Sequence, residues 1–96
     1  MSKRLENSFD IDGEVVFVGQ PVSITPTFTK RVLVIKTQKG SYDTDLAFEF
    51  INKQGNMLDD IESGDVVLVN FQVGGRQKKD KMEWYQQIEG RSVQKL

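Results

Sequence analysis

The sequence predicts an all-β fold, a five-stranded Greek-key barrel with one short helix between its third and fourth strands, and three observations carry that prediction. Five extended segments can be read along the chain against a single helical candidate. That candidate falls between the third and fourth segments, the slot in which a helix plugs one end of such a barrel. The first segment changes phase at Gly13, as a strand does when it bends to serve both sides of a closed sheet. The arrangement is that of the OB-fold; an SH3-like barrel competes on strand count but has no helix in that slot.

The first strand, residues 9–18, alternates Phe9, Asp10, Ile11 and Asp12 and then runs continuously apolar from Val15 to Val18. A glycine at the change of phase marks a bulge or a sharp coil. Residues 19–29, with Pro21 and Pro26, read as a loop. The second strand, 30–37, is an unbroken apolar run flanked by cations, so period alone does not assign its faces. Lys39-Gly40-Ser41 makes a turn. In the third strand, 42–50, Leu46, Phe48 and Phe50 share one face and Asp45, Ala47 and Glu49 the other. Asn56 is placed to cap a short helix with Met57, Leu58 and Ile61 apolar and Asp59 near its start, ended by Glu62-Ser63-Gly64-Asp65.

Residues 65–93 write one long hairpin. Val67, Val69, Phe71 and Val73 alternate with Leu68, Asn70 and Gln72; Gly74-Gly75 is expected to break the strand, and Trp84-Tyr85 opens the return. Between them lies a basic tip, Arg76-Gln77-Lys78-Lys79-Asp80-Lys81. The expected organisation is a flexible N-terminus over 1–8, the barrel over 9–93 and a short tail over 94–96.

At 96 residues the chain is one small domain whose core draws on nearly every apolar strand face. Cysteine and histidine are both absent, which removes thiolate and imidazole metal ligands, disulfides, and the Ser-His and Cys-His nucleophile systems. Asp59-Asp60 suits a helix start and Asp43-x-Asp45 a solvated strand better than either suits a Mg²⁺ site. Gly74-Gly75-Arg76 is too short for a phosphate-binding loop. The expectation is no enzyme, no cofactor, no metal and no small-molecule substrate. The polar start, Met1 to Ser8, lacks the apolar stretch of a signal peptide, and no window approaches the ~20 apolar residues of a membrane span. A protein free of the membrane, in the cytoplasm or the host cytoplasm if phage-encoded, is expected.

The run Tyr42-Asp43-Thr44-Asp45-Leu46-Ala47-Phe48-Glu49-Phe50, then Met57-Leu58-Asp59, Gly64-Asp65-Val66-Val67, Phe71-Gln72-Val73-Gly74-Gly75-Arg76 and Trp84-Tyr85-Gln86-Gln87-Ile88 resembles a family of short bacterial and phage OB-fold proteins. That family, once a domain of unknown function, is described as candidate single-stranded DNA-binding proteins. The resemblance spans about residues 9–93 and implies the fold and single-stranded DNA binding; it assigns no contact residue. The chain departs from the family pattern at Gly75, where a polar or basic residue is expected. It departs again at Gly90-Arg91, where a small residue and then tryptophan are expected, so that a stacking ring is either missing there or replaced by the Arg91 guanidinium.

Thirteen cations against fourteen anions give no general affinity for polyanions, so a nucleic-acid site rests on how charge is distributed. In an OB-fold the binding groove crosses the second and third strands and is flanked by the first-to-second and fourth-to-fifth loops. Lys30, Arg31, Lys36 and Lys39 fall on the second strand and its turn, and Arg76, Lys78, Lys79 and Lys81 on the far flank. Asp43, Asp45 and Glu49 on the third strand oppose them, and lysines at a hairpin tip also serve to block edge pairing. Among the rings, Phe48, Phe50 and Phe71 are in phase with the core. Tyr85 points away from it, Phe28 sits in a polar loop, Trp84 shares the phase of Ile88 and leans toward the core, and Tyr42 admits both placements. The function expected is largely sequence-independent binding of single-stranded DNA by a homodimer or higher oligomer, in replication, recombination or repair. The alternative is a protein-docking module, favoured by an exposed apolar patch at Leu33 and Ile35 or at Leu68. The end of the chain, Ser92 to Leu96, carries no acidic tail of the kind that recruits replication enzymes.

Overall fold

The structure, a computed structural model, describes residues 7–96. Of the flexible N-terminus expected over 1–8, residues 1–6 thus lie outside the described residues. The strands are β1 (Phe9–Val18), β2 (Val22–Thr25), β3 (Phe28–Lys39), β4 (Tyr42–Ile51), β5 (Val66–Gln77) and β6 (Trp84–Lys95). Five of them close a barrel in the order β1-β5-β6-β4-β3, with β3 returning to β1. The pairings are antiparallel except β4 with β6, which meet in parallel at Glu49 and Glu89. This is the all-β, five-stranded OB-fold barrel.

β1 serves both sides of the closed sheet. Phe9 to Glu14 pair with β5, and Glu14 to Val18 pair with β3. The bulge lies between Val15 and Phe17, not at Gly13 as the phase change suggested. Gly13 has a different cause: a Cβ there would come within 2.6 Å of the Lys36 carbonyl oxygen, because β3 crosses close to β1 at the point where β1 changes partners.

Strict lateral pairing then sorts the second predicted strand. Leu33 and Ile35 are fully buried, in register with Phe48 and Leu46, so Lys30, Val32, Val34 and Lys36 point out of the barrel. The apolar patch at Leu33 and Ile35 that would have favoured protein docking is therefore core. Val15, Phe48, Phe50, Val67 and Val69 complete the barrel interior, and Leu58 and Ile61 close its end.

Three expectations are corrected. The segment before β5 is not a helix capped by Asn56 but a 3₁₀ helix, Asn52–Leu58, entered from extended Ile51 and followed by turns. Asn52 begins it at a φ of 50°, with its side-chain oxygen accepting from the Thr29 N–H at 2.8 Å. Gly74-Gly75 does not break β5, which runs on to Gln77. The turn is built farther out, where the Lys78 N–H donates to the Glu83 carbonyl at 2.8 Å and Asp80 takes a φ of 62°. Finally, β6 continues through Gln94 and Lys95, paired with Leu68 and Val67, so the expected tail belongs to the sheet. At the other end Asn7 clips itself to β5: its amide donates to the Val73 carbonyl and accepts from the Val73 N–H at 2.9 Å.

Candidate nucleic-acid interface

The outer face of β3 and β4 is a set of rows, because residues paired across strands point the same way. Glu14, Lys36 and Asp45 make one row; Phe17, Val34 and Ala47 the next; then Val32, Glu49 and Glu89; then Val22, Lys30 and Ile51. The β5–β6 hairpin runs past this face as a two-stranded arm, since β1 leaves β5 at Phe71 and β4 pairs with β6 at Glu89, short of the tip. On that arm Arg76 pairs with Tyr85, and Tyr85, Gln87 and Glu89 alternate onto the outer face.

The face and the root of the arm enclose a cleft of about 530 Å³, the size of a small-ligand site. Phe28 and Tyr85 form its rings, Glu49, Gln87 and Glu89 its floor and Gly75 and Arg76 its rim, with Ile51 beside Phe28. Phe28 is 37% exposed and Tyr85 51%, so each presents a surface to solvent while keeping a packed edge. The Arg76 guanidinium lies 5.7 Å and the Lys78 ammonium 4.9 Å from the centre of the Tyr85 ring, both within cation–π reach. Gly75 permits this closeness, since a Cβ there would stand 2.8 Å from the Tyr85 carbonyl oxygen. A polar or basic side chain at this position would push the two strands of the arm apart.

The candidate residues divide into groups. Phe28, Tyr85 and Arg76 line the cleft, Lys78 reaches the Tyr85 ring from the arm, and Lys79 and Lys81 extend the arm beyond it. Lys36, Lys39 and Tyr42 sit at the opposite end of the β3–β4 hairpin, where Tyr42 is 78% exposed. Lys30 is bound to Glu49 at 3.2 Å, and Arg91 to Glu89 at 3.1 Å, so these two cations offset the cleft's own carboxylates. Lys78 also bonds Glu83 at 3.0 Å. Trp84 departs from its core leaning. It lies on the reverse face of the arm from Tyr85 and is 57% exposed, because the barrel interior ends near Gly90 and, among the described residues, no layer lies beneath the arm there.

Arg31 is a structural residue. It points inward in the phase of Leu33, its side chain 11% exposed. Nε donates to the Gly19 carbonyl at 2.7 Å, and Nη1 to the Gly55 carbonyl at 3.1 Å and to Asp59 Oδ1 at 2.7 Å. It thereby ties the β1–β2 connection and the 3₁₀ helix to the barrel end. Arg31→Met should lower stability by about 2–3 kcal/mol, because two part-buried carbonyls lose a charged donor. Oligonucleotide affinity of the folded variant should not change; chemical denaturation and a binding titration on the same preparation check both halves.

Sequence reading missed two parts of this site. Glu89 and Gln87 were reachable from the alternation that starts at Tyr85, but they join Glu49 only through the parallel pairing of β4 with β6. The alternation Val22, Ser23, Ile24, Thr25 is a strand signal that the flanking prolines masked; β2 lies along β3 and brings Phe28 to a strand edge instead of a free loop. Among the described residues no three acidic, histidine or cysteine side chains are placed to hold a metal ion, and no helix is long and apolar enough to cross a membrane.

A family model described as a domain of unknown function, DUF3127, matches residues 10–94. The chain belongs to the DUF3127 family. Comparison with curated protein sequences finds no match. Among solved structures this DUF3127 domain is similar to the mitochondrial single-stranded DNA binding protein Rim1 of S. cerevisiae. The two share a TM-score of 0.69 and 13% identity, over 96% of this chain and 97% of that one. It is also similar to the wild-type single-stranded DNA binding protein of Thermus aquaticus, with a TM-score of 0.64 and 16% identity over 95% of this chain, which spans 50% of that protein. At these identities the likeness is one of fold, and it places the closed barrel with its long hairpin arm among OB-folds.

Proposed function

We propose that the protein binds single-stranded DNA without catalysis and largely without regard to sequence, in replication, recombination or repair, within the cytoplasm and as a homodimer or higher oligomer. One observation carries the reading: two half-exposed rings, Phe28 and Tyr85, face a single cleft at the root of an arm that bears Arg76, Lys78, Lys79 and Lys81. Single-strand binding needs rings on which bases stack and cations along which phosphates run, and this arrangement supplies both side by side. Oligomers suit the task, since one barrel covers only ~4–16 nucleotides and linked sites multiply affinity. The fold shared with single-stranded DNA binding proteins supports the reading.

Arg76, Lys79, Lys81 and Lys36 have no ion-pair partner among the described residues. If they neutralise about four phosphates, log K should fall against log salt with a slope near −3, at roughly −0.7 per phosphate for single strands. Anisotropy titrations with labelled oligo-dT, oligo-U and duplex DNA at several salt concentrations test this. Single strands should bind well above duplex. A response indifferent to salt and to strandedness would favour protein docking instead, for which the exposed Phe17, Val22 and Ile24 are the surface.

A further inference from the structure

The floor of the cleft is acidic, and that is the wrong chemistry for phosphate. Glu49 and Glu89 sit directly opposite one another where β4 and β6 pair in parallel, with Gln87 two positions along the same face. Neighbouring strands lie about 4.8 Å apart, so the two side chains leave the same face from adjacent strands. Each is held from its outer flank: Lys30 takes Oε2 of Glu49 and Arg91 takes Oε1 of Glu89. Among the described residues the second oxygen of each has no hydrogen-bond partner. Lys30 and Arg91 offset the charge of these carboxylates, so what the floor presents is acceptor oxygens: a phosphodiester laid on it would face acceptors in place of donors, whereas a group rich in N–H donors would be matched.

Resting on the single-strand reading above, we infer that the cleft between Phe28 and Tyr85 takes a nucleobase that carries an exocyclic amino group, guanine above all, and disfavours thymine and uracil. The phosphates run outside it, along Arg76 and the arm. Guanine presents an adjacent ring N–H and amino group, the paired-donor geometry that carboxylates accept best, and its neighbouring carbonyl faces the amide of Gln87. Cytosine and adenine offer the amino group beside an unprotonated ring nitrogen and rank between. Thymine and uracil offer one N–H between two carbonyl oxygens, which the carboxylates repel. Stacking on Phe28 and Tyr85 is available to every base, so the acidic floor adds a preference to a groove that still tolerates any sequence.

The test is competition among labelled oligonucleotides of about 16 nucleotides, the upper span of one barrel: a thymine homopolymer, a cytosine homopolymer and an alternating thymine–guanine strand. The alternating strand should bind about tenfold more tightly than the thymine homopolymer, with cytosine between them. In the double variant Glu49→Gln, Glu89→Gln, thermal melting reports on folding while the titrations report on preference. There the thymine homopolymer should gain affinity and the guanine preference should shrink to within about twofold. Equal or tighter binding of the thymine homopolymer by the wild-type protein, or a guanine preference that survives in the double variant, overturns this inference and leaves the single-strand reading standing. Absence of binding to all three strands overturns both.

Discussion

Phe50→Ala is expected to cost about 3–5 kcal/mol of unfolding free energy, a large share of the ~5–15 kcal/mol available to a domain of this kind. Phe50 is fully buried, and its ring fills the space left by Gly90: a Cβ on that glycine would lie 2.3 Å from Cζ and 2.4 Å from Cε1 of the ring. Gly90→Ala should therefore destabilise by about 1–3 kcal/mol through overpacking. The two effects are coupled. With the ring removed the added methyl group has room and fills part of the cavity, so Gly90→Ala should be neutral or stabilising in the Phe50→Ala background. A double-mutant cycle by urea denaturation reads this directly. Additive penalties would show that Gly90 is required for some reason other than the ring.

Tyr85→Ala and Phe28→Ala should each weaken oligo-dT binding about tenfold or more, since stacking on one base contributes ~1–3 kcal/mol. Neither should cost much stability, because both rings are well exposed and neither belongs to the buried cluster. Because both rings serve one cleft, the double variant should lose less than the product of the two single losses, a coupling that the double-mutant cycle reads. Tyr85→Phe should retain most of the affinity, as the ring and its two flanking cations remain. Trp84→Ala is the contrast. Its indole lies on the reverse face of the arm, so affinity should stay within about twofold of wild type. An effect of Trp84→Ala as large as that of Tyr85→Ala would mean that DNA follows the other face, and the cleft would lose its role.

Residue pattern and tertiary pairing carry two kinds of information. The core faces of the third and fourth predicted strands were plain, because Leu46, Phe48 and Phe50 and then Val67, Val69 and Phe71 alternate without interruption, and period two maps directly onto the two faces of a strand. Fold class followed from the order of such segments. Tyr85 was legible as an outward ring for the same reason. By contrast, the apolar run from Val32 to Ile35 carries no period of its own. Its inward residues were decided by its neighbours, when pairing with β4 set Leu33 beside Phe48.

The site drew still more on tertiary structure. Arg31 and Lys30 are adjacent cations in the chain, yet one points into the barrel end to bind two carbonyls and the other points out to Glu49, a division set by which neighbours each side of β3 meets. Trp84 shares the phase of Ile88 but not its burial, because a strand's inner face is a core only while another layer lies beneath it, and the arm outruns the barrel. Glu49 and Glu89 are forty positions apart and meet through one parallel pairing, so no local pattern brings them together. Period and composition therefore determined the five barrel strands, the inward residues of those that alternate, and the exclusion of thiol and imidazole chemistry. Closure of the barrel decided which cations remain free, which ring faces solvent, and that the cleft beneath the basic arm has an acidic floor.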